Sequence, residues 1–426
     1  MPGKTMLLGC VTAIGLCGCA LTDKSNQTFA PSADTTNPAV LDTIVSASVE
    51  TSVSTSSVSA SSASTSSVSA MAEAAEINIP AAATPNAAES LEAQLNACIA
   101  ALSLEEKAGQ LFNIRLNEND LPMIERLHLG GVTLFKENIE SEAQVKKLTA
   151  DLQAMRAIPL LIGIDEEGGQ VSRLKELYGN SYESAYQTGQ THDPQNAFDV
   201  ALEIGRTLKS LGVNMDFAPV ADIWSNPQNR VIGDRAYGKA PEEVSPMVAA
   251  AVRGFHEAGV LSVIKHFPGH GDTLEDSHQV TAVYSHDLER LRSFEILPFQ
   301  AGVDAGADGV MAGHIAAPKI TGNNVPAGFQ PFFLQDMLRD QMGFDGLIVT
   351  DALEMGGVSH AYSAAQAALE AFQAGADILL LPSDPEQAYQ AILAACRDNR
   401  ISEERLNASV RRILQAKTRL GWRPFA

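Results

Sequence analysis

Positive charge is scarce in this chain. Thirty Lys and Arg stand against 51 Asp and Glu, for a net charge of −21, and no basic cluster interrupts the acidity. A nucleic-acid partner is excluded on that ground, because neutralising phosphates takes clustered Lys and Arg. Long apolar runs are missing too. The stretch from Met6 to Leu16 has an apolar core of about ten residues, whereas a bilayer span takes about 20. Following the single positive charge at Lys4, it reads as an export signal rather than a transmembrane helix. Aromatics all but vanish from Asn26 to about Pro85, where Ser, Ala, Thr and Val dominate and Ser-Thr-Ser-Ser-Val-Ser-Ala occurs at 54–60 and again at 64–70. Such a tract cannot bury enough apolar surface to offset its ordering entropy, which makes it a tether or a stalk modified on its hydroxyls.

Cysteine is sparse as well, with five in all. Leu16-Cys17-Gly18-Cys19 resembles the bacterial lipobox, which implies a signal peptide over 1–18, lipidation of Cys19 and a tether over 19–88. The expected location is the cell envelope, with the lipid in the outer membrane at its periplasmic face or in the cell membrane at its outer face. Cys98 and Cys396 then remain for the folded part, 89–426. They lie near its two ends, and in an oxidising compartment they either form a disulfide or stay as two free buried thiols.

Past Pro85 short apolar runs alternate with amphipathic stretches. Candidate strands are Leu111 to Ile114, Gly131 to Phe135, Leu160 to Asp165, Val213 to Pro219, Ser262 to His266, Gly309 to His314, Gly346 to Asp351 and Asp377 to Leu381. Between them the spacing predicts helices over Ser141 to Arg156, Asn196 to Leu211, Pro241 to Ala258, Leu288 to Ala305 and Ala361 to Ala374, and a last one over Ser402 to Lys417. Unalternated strands separated by helices mean a parallel sheet covered on both faces. Eight repeats in this length favour a closed (β/α)8 TIM-type barrel, an α/β fold, over an open doubly wound sheet.

In such a barrel, chemistry gathers at the C-terminal ends of the strands. Asp165 and Glu166 end the third candidate strand, Asp216 and Asp222 flank the end of the fourth, Lys265 and His266 end the fifth, His314 ends the sixth, and Asp351, with Glu354 as a weaker alternative carboxylate, follows the seventh. Residues 265–278 hold three histidines, with Asp276 two positions before His278. A carboxylate that close can fix the ring tautomer and raise its basicity, leaving the other nitrogen to move a proton. Asp351 in its apolar setting is a nucleophile, a metal ligand or a helix cap. His270 and His314 are expected to order loops, and Trp224 either stacks on a ligand or fills the core.

Lys265-His266-Phe267-Pro268-Gly269-His270-Gly271 with Asp276-Ser277-His278, Gly163-Ile164-Asp165-Glu166-Glu167-Gly168-Gly169-Gln170-Val171-Ser172-Arg173, and Val349-Thr350-Asp351-Ala352-Leu353 together resemble glycoside hydrolase family 3, and more narrowly its bacterial β-N-acetylglucosaminidases. The resemblance implies a retaining double displacement on a carbohydrate substrate, with Asp351 as nucleophile and His278, oriented by Asp276, as acid and base. It also implies that Asp165, Arg173, Arg235, Lys265 and His266 bind the terminal sugar, that loop 268–280 carries the imidazole in and out, and that neither metal nor other cofactor takes part.

Other readings are a β-glucosidase or a phosphorylase of the same family, a metallohydrolase built on His266, His270, His278 and Asp276, and a non-catalytic glycan-binding lipoprotein. The histidine spacings form no compact ligand set, and Lys265 would oppose a cation. An envelope location favours peptidoglycan fragments over chitin oligosaccharides as the source of the sugar.

Overall fold

A computed structural model describes residues 85–179 and 182–424 of the chain. The expected signal peptide 1–18, Cys19 and the part of the expected tether up to residue 84 lie outside the described residues. Eight parallel strands form the barrel: β1 (Phe112–Arg115), β2 (Gly131–Thr133), β3 (Leu161–Ile164), β4 (Met215–Asp216), β5 (Leu261–Phe267), β6 (Gly309–Ala312), β7 (Leu347–Thr350) and β8 (Leu379–Leu380). Their spatial order follows the chain, with β8 paired to β1 through Phe112 and Leu379. A parallel bridge between Val349 and Ile378 joins β7 to β8 and closes the barrel. Nearly every strand residue is buried, because one face packs into the barrel interior and the other against the helical ring.

Each of the eight expected strands is present, and the differences in extent have local causes. β4 is short because Pro219 carries no N–H for the ladder. The chain stays beside β5 all the same, with Val263 N–H donating to Ala218 O and a bridge from Val220 to Lys265. The single helix expected over Leu288 to Ala305 is two, Leu288–Ser293 and Ile296–Asp304. Pro298 cannot donate to the carbonyl of Phe294, and its ring would clash there, so the backbone breaks at Phe294 (φ −139°, ψ −74°). The break turns the buried Glu295 carboxylate toward Tyr284 Oη at 2.7 Å and Arg290 at 3.1 Å. Helix Ala364–Ala374 starts three residues later than the spacing suggests, because Ser363 caps it in a reciprocal capping box with Gln366.

Helix Glu403–Arg419 is capped by Ser402, whose hydroxyl accepts from Arg405 N–H. It buries Leu406, Val410, Ile413 and Leu414, and sends Lys417 Nζ to Gln110 Oε1 at 2.6 Å and Gly130 O at 3.0 Å. The first described helix, Pro85–Ala101, adds Leu95, Cys98 and Ile99 to the core. Cys98 and Cys396 are free thiols, so no disulfide links the two ends. Among the described residues no helix is long and apolar enough to cross a membrane.

Candidate active site

The ends of β3 and β5 assemble one charged cluster. Lys265, interior to β5, reaches Asp165 Oδ1 at 2.7 Å and Glu167 Oε1 at 2.6 Å. Arg235 grips Glu167 with two hydrogen bonds of 2.8 Å, and Arg173 donates to Asp165 Oδ2 at 3.2 Å. His266 stands beside Arg235 at 3.3 Å and turns its Nδ1 to the buried Asp222 carboxylate at 2.7 Å. Two acids are thus held by three cations. Burial opposes ionisation of Glu167, but Arg235 and Lys265 outweigh it and hold the carboxyl far below its ordinary range. Asp165 is lowered in the same way, against burial, by Lys265 and Arg173.

The sequence between Glu167 and Arg173 explains how Arg173 returns to Asp165. Gly168 and Gly169 both have positive φ (80° and 59°), and a Cβ on Gly169 would stand 2.6 Å from Ser184 Cβ. Only glycine permits this reversal, which is tied by Glu167 N–H to Val171 O at 2.9 Å.

Asp351 sits one residue past β7 and is 8% exposed. Its N–H donates to Ala312 O at 2.9 Å, and its Oδ1 accepts from Ala352 N–H at 2.8 Å. Burial would raise its pKa, yet the imidazoles of His314 and His266 and the Ala352 N–H overcome this and lower it. The group is therefore an anion, without a salt-bridge partner among the described residues, that lines a cavity. His278 lies on the loop after β5, with its side chain 65% exposed and Nδ1 2.8 Å from Asp276 Oδ1. Since a carboxylate only accepts, Nδ1 carries the proton and Nε2 is left for exchange. Burial opposes ionisation of Asp276, and the hydrogen bonds from His278 lower its pKa nonetheless.

One cavity of about 290 Å³ brings these groups together: Asp165, Arg173, Arg235, Lys265, His266, His278 and Asp351 all line it. Asp276 does not, and touches the cavity only through His278. The volume is at the small end of ligand clefts, which begin near ~300 Å³, and it suits one ring rather than an extended chain.

Several lining groups escape the sequence reading. Glu167, not its neighbour Glu166, faces the cavity; Glu166 turns away to accept from Arg173 and Leu174 N–H at 2.8 and 2.9 Å. Side chains alternate along extended chain, so the pairing of Asp165 with Glu167 was available as a signal. Arg115, Phe135 and Glu354 also line the cavity, where Arg115 stacks 3.5 Å from the Phe135 ring centroid and binds Glu354 at 2.5 Å, while Arg173 lies 5.3 Å from the same ring. Glu354 was marked by its place after the seventh strand, whereas Arg115 and Phe135, at the ends of the first two, carry no local pattern that joins them to it.

His270 also lines the cavity, with Nδ1 at 2.7 Å from Thr273 Oγ1 and Nε2 at 2.9 Å from Ser277 Oγ. His314 lies behind Asp351 and donates Nε2–H to Ala352 O at 2.9 Å. Trp224 is away from the cavity, edge-on to Tyr186 and bonded through Nε1 to Asn229 O. Among the described residues no group of three or more His, Cys, Asp and Glu side chains is arranged to hold a metal ion.

Relatives were found by sequence and by structure. The chain is 37% identical over 326 residues to beta-hexosaminidase A of Pseudoalteromonas piscicida, covering 70% of this chain and 54% of that protein. It is 36% identical over 304 residues to a beta-hexosaminidase of Stenotrophomonas maltophilia (strain R551-3), covering 69% of this chain and 86% of that protein. A solved glycoside hydrolase family 3 beta-N-acetylglucosaminidase from Paenibacillus sp. str. FPU-7 superposes with a TM-score of 0.73 at 40% identity, over 75% of this chain and 63% of that one. The chain thus spans little more than half of the first of these relatives. The model of the glycosyl hydrolase family 3 N-terminal domain matches residues 103–416, a stretch that contains every barrel strand and every cavity residue named above, and the chain belongs to glycosyl hydrolase family 3.

Proposed function

We propose that the protein is a retaining, exo-acting β-N-acetylglucosaminidase that removes terminal, non-reducing, β-linked N-acetylglucosamine. The observation that carries this reading is the shared cavity, in which an unpaired buried carboxylate, Asp351, and the free nitrogen of a carboxylate-backed imidazole, His278, open onto one space. The names of the relatives support the sugar.

In the first half of the reaction an Asp351 oxygen attacks the anomeric carbon. Oδ1 is engaged by Ala352 N–H, which leaves Oδ2 for the new bond. The glycosidic C–O bond breaks as His278 Nε2–H gives its proton to the departing oxygen, and a glycosyl-Asp351 ester remains. In the second half, neutral His278 takes a proton from water, the water oxygen bonds to the anomeric carbon, and the ester C–O bond breaks. Positive charge grows on the sugar in both transition states, and anionic Asp351 stabilises it. Asp165 and Glu167 accept from sugar hydroxyls while Lys265 and Arg173 donate to sugar oxygens.

Peptidoglycan fragments are the proposed source of the sugar. Anchorage through a lipid on Cys19 is part of the same reading, and retention of radiolabelled palmitate by the full chain, lost on Cys19→Ala, is its test.

The activity test compares p-nitrophenyl β-N-acetylglucosaminide with the β-glucoside. Faster release from the former is expected, and the reverse order would overturn the assignment. Running the reaction in phosphate buffer separates hydrolysis from phosphorolysis, since only the latter yields a sugar 1-phosphate.

A further inference from the structure

The ring of His278 is mostly exposed, and its hydrogen bond to Asp276 stays within its own loop. Something else must set its distance from Asp351. The backbone around it does this from three sides. Gly356 N–H donates to His278 O at 2.9 Å and Gly357 N–H to Ser277 O at 3.2 Å. Thr281 returns the contact, its hydroxyl donating to Gly357 O at 2.7 Å. Facing inward, Ser277 Oγ meets His270 Nε2 at 2.9 Å, and His270 N–H is held in turn by Asp222, the partner of the sugar-side His266. Just beyond, Ala282 N–H donates to His314 O at 3.1 Å.

The segment carrying Gly356 and Gly357 is itself pinned. Asp351 N–H bonds to Ala312 O on β6, Leu353 N–H to Leu380 O on β8 and Met355 N–H to Ala352 O, at 2.9, 2.9 and 3.1 Å. The two glycines allow the approach. A Cβ on Gly356 would stand 2.8 Å from His278 O and 2.6 Å from Gln279 O, and one on Gly357 would stand 2.7 Å from Ser277 O.

We infer that residues 277–281 and Gly356–Gly357 form a clamp that fixes the acid/base histidine to the loop of the nucleophile, with Thr281 and Ser277 as positioning residues. The inference rests on the glycosidase reading for its purpose and on geometry for its existence. A misplacement of about 1 Å in a reacting group costs on the order of 10²-fold in rate, and side-chain packing alone does not hold an exposed ring to that tolerance. With these bonds in place, His278 lines the cavity together with Asp351.

The test uses the full chain and the variants Thr281→Val, which removes the hydroxyl at nearly constant shape, and Thr281→Ser, which keeps it. One readout is hydrogen exchange at the Gly356 and Gly357 amides. The other is kcat/KM on two β-N-acetylglucosaminides, one with a dinitrophenyl leaving group that needs no acid and one with a methyl leaving group that does. Thr281→Val is expected to speed exchange at both amides and to lose ~10-fold on the methyl glycoside but under ~2-fold on the dinitrophenyl one, with Thr281→Ser restoring both readouts. Equal losses on the two substrates, no loss on either, or glycine amides already unprotected in the unaltered protein would each overturn the clamp. If the unaltered protein cleaves neither glycoside, the glycosidase reading fails, and the exchange rates still decide the clamp.

Discussion

Asp276 Oδ1 accepts twice from His278, from its backbone N–H at 2.9 Å and from its ring Nδ1–H at 2.8 Å. One oxygen therefore fixes both where the histidine leaves the chain and which ring nitrogen carries the proton. The second effect bears on catalysis, because a ring free to change tautomer presents Nε2 in the wrong state for part of the time.

Asp276→Ala is accordingly expected to slow alkyl β-N-acetylglucosaminides by ~10²-fold or more while dinitrophenyl glycosides lose far less. A plot of log kcat/KM against leaving-group pKa should steepen. An unchanged slope would remove Asp276 from the acid/base pair.

Asp351→Asn keeps an oxygen for the Ala352 N–H and removes the attacking anion. Turnover is expected to fall by ~10⁴-fold or more, with the thermal midpoint barely moved. Mass spectrometry of protein treated with a fluorinated glycoside should show the added sugar on the unaltered chain and none on the variant. Labelling that persists in the variant would place the nucleophile elsewhere.

Glu167 neutralises two buried cations, and Glu167→Gln leaves them facing each other across a neutral amide. A loss of about 3–5 kcal/mol is expected at pH 7. Because its folded pKa is depressed, the carboxylate's contribution is complete above the unfolded value of ~4.3 and is lost as pH falls through the folded one. The gap between variant and unaltered protein, read by denaturant unfolding from pH 7 to pH 3, should narrow below about pH 4. A constant gap would mean that the damage is steric.

Asp216 behaves in the opposite sense. It is fully buried, its Oδ1 accepts from Glu166 N–H at 3.0 Å, and its Oδ2 has no partner. Burial, aided by the charge of Glu166, pushes its pKa well above the ordinary value. A carboxyl raised in this way binds more protons in the native state, so its contribution is complete below the unfolded value of ~3.9 and fades as pH rises toward the folded one. Asp216→Asn removes that dependence. Its stability relative to the unaltered protein should improve as pH rises above about 4, and a difference that stays constant there would show that Asp216 is ionised.

The barrel was legible because its strands are continuous apolar runs, which only a sheet covered on both faces explains. Asp165, Lys265, His266 and Asp351 were legible for a related reason: each follows or ends such a run, where a barrel places its chemistry. Boundaries were less so. The break at Phe294 follows from a single proline four residues on, a signal weaker than the amphipathic pattern that spans it. Choosing between Glu166 and Glu167 needed the side-chain alternation to be carried past the end of β3.

By itself, then, the sequence determined the repeat of strand and helix, the rim on which polar groups collect, and the local pair of Asp276 and His278, all of which depend on neighbours within a few positions. Tertiary structure alone decided that Arg235 closes on Glu167 across 68 positions, that Arg115 and Glu354 meet across 239, and that Gly356 and Gly357 hold the histidine segment. The Arg115–Glu354 contact exists because barrel closure brings β7 and β8 round to β1, and the other two because the parallel sheet sets the loops after β3 and β4, and those after β5 and β7, on one rim; that arrangement is a property of the whole sheet that no local stretch of residues encodes.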